Sequence, residues 1–514
     1  MKPLKRREFL ADVGKGMLVA SVGSSLASDL GLATALADEG PAELSFGSLE
    51  PLVSLMQETP IEKLQPLLVE KLKGGTTLRT LVSAGALANA RTFGGQDYIG
   101  FHTLMALAPA YEMSHELPEA LRPLPVLKVL YRNTTRIQEE GGRQKEVLHP
   151  VRPAALSKGR SGGEQLRAAT RGANADQAES TFAALAQGGL EQSFNDLQWI
   201  VQDNLNVHRV VLAWRAWALL DLTGKEQAHT LLRQSVRYCV QEEQQLKDRG
   251  YEPPIRVVLP KLLDEYRLLS RSAGTQTADA AWVESLSRII FSAPQDQAAD
   301  AVAAALAEGM APEAIGEAIS LAANQLVLCD PGRLKAYGAK AVGSVHGDSV
   351  GVHASDAANA WRNIAAVSHP RNTMASLIVA AYHTAGQGGR SIKLPYPLAE
   401  HVDKVRSTDP AKLLKQAEDA IRHKDQATAC AAINRYGTLK KPAAPVFQML
   451  IGFATSEDGA LHAEKYFRTV QEEFKSTRAA YRWEQLAALA RVTASEFGET
   501  AAGYKQAREL LGFS

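Results

Sequence analysis

Apolar residues recur at three- and four-residue intervals from about residue 45 onwards, a spacing that lays one apolar stripe along each of a succession of helices. The segments IEKLQPLLVEKLKGG (61–75) and TLRTLVSAGALANARTFGG (77–95) each close on glycine, which readily stops a helix. Pro118, Pro123 and Pro125 crowd residues 115–133 and predict an irregular connection or short helices there. Residues 151–180 are polar, rich in Gly and Ser and without an apolar face, so a long excursion or lid outside the core is expected. Helical periodicity returns strongly over 194–224, 225–250, 300–328 and 338–386, and no convincing strand pattern occurs. The expected fold is all-α: a multi-helix bundle with a weak internal duplication, followed by helix hairpins of tetratricopeptide type that do not meet a strict repeat consensus. The proline-rich KLPYPLAEH (393–401) is the expected boundary, separating a helical domain at 38–395 from a hairpin region at 396–514.

Composition agrees with helices. Aromatic residues are only 6 % of the 514, fewer than a β-sandwich core needs. Lys and Arg number 57 against 56 for Asp and Glu, so no net charge favours nucleic acid or an anionic membrane. Cys239, Cys329 and Cys430 lie far apart with no CxxC, which excludes the ligand spacing of a zinc ribbon, a c-type haem or an iron–sulfur cluster. They are expected as small buried apolar residues.

The N-terminus, KRREFLADVGKGMLVASVGSSLASDLGLATALADEG, pairs Arg6-Arg7 with Phe9-Leu10. A weakly apolar stretch follows, running to a small-x-small site at Ala35-Leu36-Ala37. It resembles a bacterial twin-arginine export signal over 1–37, and the resemblance implies a periplasmic or otherwise exported protein that meets the twin-arginine export machinery. That route carries folded proteins, often with a cofactor already inserted. Asp29 interrupts the apolar stretch and no later run offers about 18 apolar residues, so no membrane span is expected in the mature chain.

An internal echo draws attention to the histidines. Residues 75–88, GTTLRTLVSAGALA, match 309–322, GMAPEAIGEAISLA, at Gly75/Gly309, Leu81/Ile315, Ala84/Ala318 and Leu87-Ala88/Leu321-Ala322. Each is followed by Gly-x-His, giving His102 and His353, and a second pair of helix-leading histidines is His208 and His369. Chance alignment of Ala-rich helices explains this about as well as a duplication does. The duplication would place two histidines per half on inward faces, where bundles build metal sites. His346 lies near His353. On one unbroken helix the two would stand about 10 Å apart, too far to share an ion. Gly343, Gly347 and Gly351 are expected to break the backbone before His353. Asp356 either orients an imidazole or is simply a charge favoured near a helix N-terminus. His383 reads as core, whereas His115, His149, His229, His401, His423 and His462 read as solvated. Trp214 and Trp217 follow His208 and either line a pocket for a flat substrate or pack helix on helix.

These histidine-led helices, with the late H-x6-H of His346 and His353, look similar to the questin oxidase-like family over roughly residues 95–390. The resemblance implies an all-α, flavin-free enzyme that cleaves aromatic molecules with O2. It implies a non-haem iron centre at His102, His208, His353 and His369, with His346 as substitute. A carboxylate-like fifth ligand would be expected too, with neither Lys335 nor Lys340 preferred as its source. GxSxG, HExxH, Walker and strand-borne GxGxxG motifs are absent from the sequence. Two functions follow as expectations. One is an exported metal-dependent oxidoreductase, with iron as the expected cofactor, acting with O2 on an apolar or aromatic small molecule. The other is a non-catalytic helical-repeat binding protein of the cell envelope.

Overall fold

The computed structural model describes residues 43–513; the expected export signal at 1–37 lies outside them. Twenty-three α-helices and seven short 3-10 helices run through the described residues, with three isolated β-bridges and no strand. In chain order they are α1 (Glu50–Glu58), α2 (Ile61–Lys73), α3 (Leu78–Phe93), α4 (Tyr98–Glu116), α5 (Pro123–Glu139), α6 (Gly162–Arg171), α7 (Ala175–Ala186) and α8 (Leu190–Val201). Next come α9 (Val207–Thr223), α10 (Ala228–Asp248), α11 (Ile255–Glu265), α12 (Ala280–Ser292), α13 (Gln295–Ala307), α14 (Pro312–Leu328), α15 (Val350–Val367) and α16 (Pro370–Ala385). The chain ends through α17 (Ala399–Lys404), α18 (Pro410–Arg422), α19 (Gln426–Thr438), α20 (Ala444–Ser456), α21 (His462–Ser476), α22 (Arg482–Glu496) and α23 (Tyr504–Leu510). No described helix is long and apolar enough to cross a membrane.

The helices divide into two compact units, the first comprising described residues 43–108, 130–201 and 215–252. Its centre is α3, where every residue from Leu81 to Phe93 is buried. Arg91 is buried there because its guanidinium is fully used. It donates to Glu50 at 2.8 Å, to the Leu44 carbonyl at 2.7 Å and to Gln57 at 3.0 Å. Residues 151–180 depart from the expected excursion. Ser161 begins α6 with a capping box, and Leu166, Ala178 and Phe182 are fully buried as α6 and α7 pack on α8 and α10. The region of Pro118, Pro123 and Pro125 also differs from expectation. Pro123 and Pro125 fall in the first turn of the 17-residue α5, where an amide hydrogen has no helical acceptor to lose.

The second unit comprises residues 109–129, 202–214 and 253–513. Its core joins α14 and α15 to the hairpins α18–α22, through Val327, Val352, Leu413, Ile433, Leu450, Phe467 and Leu486. The 393–401 segment therefore does not part this unit: α15 packs on α21, α14 packs on α22, and Tyr396 donates its amide to the Leu328 carbonyl at 2.9 Å. All three cysteines are buried.

The two echoing stretches adopt the same local geometry, one in each unit. Gly75 (φ +97°) and Gly309 (φ +88°) both turn left-handed three residues before a helix. Gly100 and Gly351 then bring the following helix against the end of its predecessor. A Cβ would stand 2.5 Å from the Phe93 ring at Gly100 and 2.7 Å from the Val327 backbone at Gly351.

Candidate functional site

In the second unit three histidines from three helices meet: half-buried His208 on α9 and His353 on α15, and buried His462 on α21. As the glycines predict, the backbone breaks before His353. Ser349 caps α15 by accepting from the Val352 amide at 3.3 Å, and His353 falls in the first turn. His462 opens α21 after an unusual turn, since Gly459, Ala460 and Leu461 are all left-handed, with φ of +48°, +46° and +67°. Lys128 clamps that approach from the same unit, donating to the carbonyls of Ala454 at 2.8 Å and Glu457 at 2.6 Å. It also pairs with the buried carboxylate of Glu464 at 2.6 Å. Gly347 has to be glycine, because a Cβ would lie 2.1 Å from that of His462.

The turn has a chemical consequence. It aims the Ala460 carbonyl at His462 Nδ1, 3.1 Å away. A carbonyl only accepts, so Nδ1 carries the proton and Nε2 of the neutral ring is a lone pair. That Nε2 stands 3.3 Å from Nε2 of His353. The His208 ring lies edge-on to His353, centroids 5.6 Å apart, and the His353 and His462 rings are 5.3 Å apart. Burial, then the charge of Lys465 and the neighbouring imidazole, pushes His208 down to about 3. Burial and then Lys465 push His353 down to about 4, with a further contribution from His383, which burial alone brings to about 4. At neutral pH His208 and His353 are uncharged, the state in which imidazole ligates a metal. Behind His353 on the same helix, Asp356 is buried and accepts from Thr469 at 2.8 Å. It is an inward-facing anchor between α15 and α21, not an exposed charge near a helix N-terminus.

The other expected residues fall elsewhere. His102 belongs to the first unit, buried between Tyr98 and Phe101 with Nδ1 donating to the Tyr98 carbonyl at 2.7 Å. His346 lies in the loop before α15, its Nε2 sharing a 2.9 Å hydrogen bond with the Ser344 hydroxyl, and burial, then Lys340, pushes it down to about 4. His369 is exposed at the N-cap of α16. Lys335 is exposed and Lys340 pairs with Asp348, so the lysine acting on the cluster is Lys465. Trp217 packs on Phe194 within the first unit, centroids 4.1 Å apart. Trp214, in the second unit, is half-buried, and its indole N–H has no hydrogen-bond partner among the described residues.

His462 is the member that the sequence reading placed in solvent. It is buried, as is His229. The signal was present: His462, Tyr466, Thr469 and Glu473 recur at helical spacing and all are buried. Among the described residues no three His, Cys, Asp or Glu side chains already surround one point as metal ligands. The cluster thus comprises one convergent pair, His353 and His462, with His208 beside it. Compared with protein-family models, curated proteins and solved structures, the chain matches none.

Proposed function

We propose that the protein is an exported, metal-dependent oxidoreductase whose metal is held by His353 and His462, with His208 turning in as the third ligand. The reading rests on one observation, the 3.3 Å between the Nε2 atoms of two imidazoles, His462 buried and His353 half-buried. Nitrogens about 2.0–2.1 Å from one ion and roughly tetrahedral to it stand about 3.3–3.4 Å apart. A direct N–H···N bond would be shorter, typically ~3.0 Å, and with the His462 proton on Nδ1 its donor would have to be His353.

A non-haem iron bound there would supply O2 binding and activation, the chemistry that the questin oxidase-like resemblance implies for an apolar or aromatic substrate. The chain's own residues have defined tasks. Ala460 holds the His462 tautomer, and Lys465 raises the cost of protonating His208 and His353, so both stay available as ligands. Asp356 and Thr469 fix the spacing of α15 and α21. Trp214 offers the substrate a flat face. The alternative, a non-catalytic helical-repeat binding protein of the envelope, draws support from the hairpins α18–α22.

Metal analysis of the purified protein separates the two. The expected result is about one equivalent of a transition metal, lost in His353→Ala and His462→Ala and kept in the exposed control His369→Ala. A folded protein without metal, or full occupancy in both cluster variants, overturns the metal reading and leaves the binding protein.

A further inference from the structure

A second site lies in the same unit, in the loop that joins α14 to α15, and its central residue is His346. The amides on either side of this residue are tied to side chains of α22. Val345 donates to the Ser495 hydroxyl at 2.9 Å, and Gly347 to the Glu496 carboxylate at 2.8 Å. His346 is only 7 % exposed, and Ser344 decides where its proton sits. The Ser344 hydroxyl donates its own hydrogen to the Ala341 carbonyl, 2.6 Å away, so toward His346 Nε2, at 2.9 Å, it can only accept. Nε2 therefore carries the hydrogen. The ring is neutral at ordinary pH, which leaves Nδ1 a bare lone pair.

That lone pair has no hydrogen-bond partner among the described residues, yet protein does not seal it off. His346 borders two openings. One is a pocket of about 60 Å³ shared with Asp458 and Glu496, the other a cleft of about 380 Å³ at the head of α15. A closed cavity that takes benzene measures about 150 Å³, so of the two only the cleft admits an organic molecule. Leu326, Pro331 and Val350 give the cleft an apolar wall. Its charged groups cancel. Arg333 and Lys340 both pair with Asp348, and Asp330 supplies the second negative charge while accepting from the Gly332 amide at 2.7 Å. With no net charge to draw an ion and a buried acceptor left unmet, the cleft favours a neutral ligand with a hydrogen to donate.

We infer that this cleft binds a small neutral molecule carrying a hydroxyl on an apolar body, the hydroxyl donating to His346 Nδ1 and the body lying against Leu326, Pro331 and Val350. The probe is phenol, with anisole as the same body lacking the hydrogen and benzoate as the charged counterpart. In titration calorimetry phenol is expected to bind about fivefold more tightly than anisole, and benzoate no better than anisole. In nitrogen NMR the His346 Nδ1 resonance should move as phenol is added, and far less with anisole. His346→Leu should remove the preference for phenol, and Val350→Trp, which fills the cleft, should weaken both ligands about tenfold or more. The inference is overturned if phenol does not bind, if anisole or benzoate binds as well, if bound phenol leaves the Nδ1 resonance in place, or if either variant binds phenol as the parent does. The proposed metal ligands are His208, His353 and His462, so the outcome is independent of the metal analysis.

Discussion

At Ala460 the backbone adopts φ +46°, ψ +43°, which costs a residue with a Cβ roughly 1 kcal/mol relative to glycine. The chain keeps that strain beside Leu461, also left-handed, directly ahead of His462. The compensating interactions are visible in Lys128, which ties down the preceding carbonyls, and in the Ala460–His462 hydrogen bond. Ala460→Gly should therefore raise stability by about 1 kcal/mol in urea unfolding, and Ala460→Val, branched at Cβ, should lower it by more than that. Equal stability in all three proteins would show that the turn carries no strain. A turn of this kind was not legible in GALH, because a left-handed alanine and leucine are imposed by their surroundings and not by their own preferences.

The helices at 151–180 show how element-level reading fails and where it could be repaired. Overall polarity hid two amphipathic helices. Ser161 with Glu164, and Asn174 ahead of Gln177, are N-terminal caps that mark them, and Leu166, Ala169, Ala178 and Phe182 form their narrow buried faces. Gly163 lets α6 approach Trp199 on α8 so closely that a Cβ would stand 2.1 Å from the indole, and Arg167 stacks over the same ring at 4.8 Å. If α6 is core in this sense, Leu166→Ala should cost about 2–4 kcal/mol by denaturant titration, the usual cost of emptying a fully buried leucine site. A loss below about 0.5 kcal/mol would return the segment to the status of a surface excursion.

For the whole molecule, acid is the informative variable. His208, His346, His353 and His383 all belong to the second unit and all have depressed values, His208 about 3 and the others about 4, with burial the largest cause in each. Unfolded, each would take up its proton near 6.5, so between that pH and about 4 the unfolded chain binds more protons than the folded one. Stability falls as pH falls. Glu496, raised to about 7 by burial, and Glu484, raised by burial, act in the opposite sense from about pH 4.5 upwards, but they are two against four. Hydrogen exchange at pH 7 and pH 5 should show protection lost first in the second unit, around α15 and α21. Uniform loss across both units, or greater protection at pH 5, would contradict this. Bound metal should steepen the dependence, since protons compete for the same nitrogens.

The sequence by itself determined the helical class, the burial of the three cysteines, the glycine break before His353 and the paired local geometry of Gly75 and Gly309. Each of these is set by residues near in the chain, through periodicity, caps and backbone freedom. The partner of His353 was decided only in three dimensions. Its Nε2 faces His462, 109 residues away, because α15 and α21 pack side by side and a strained turn aims one imidazole at the other. The same packing leaves His369 exposed and His346 at the separate cleft. A histidine's tautomer and charge depend on the carbonyls, cations and apolar atoms brought around it by residues remote in sequence, and only tertiary structure supplies those.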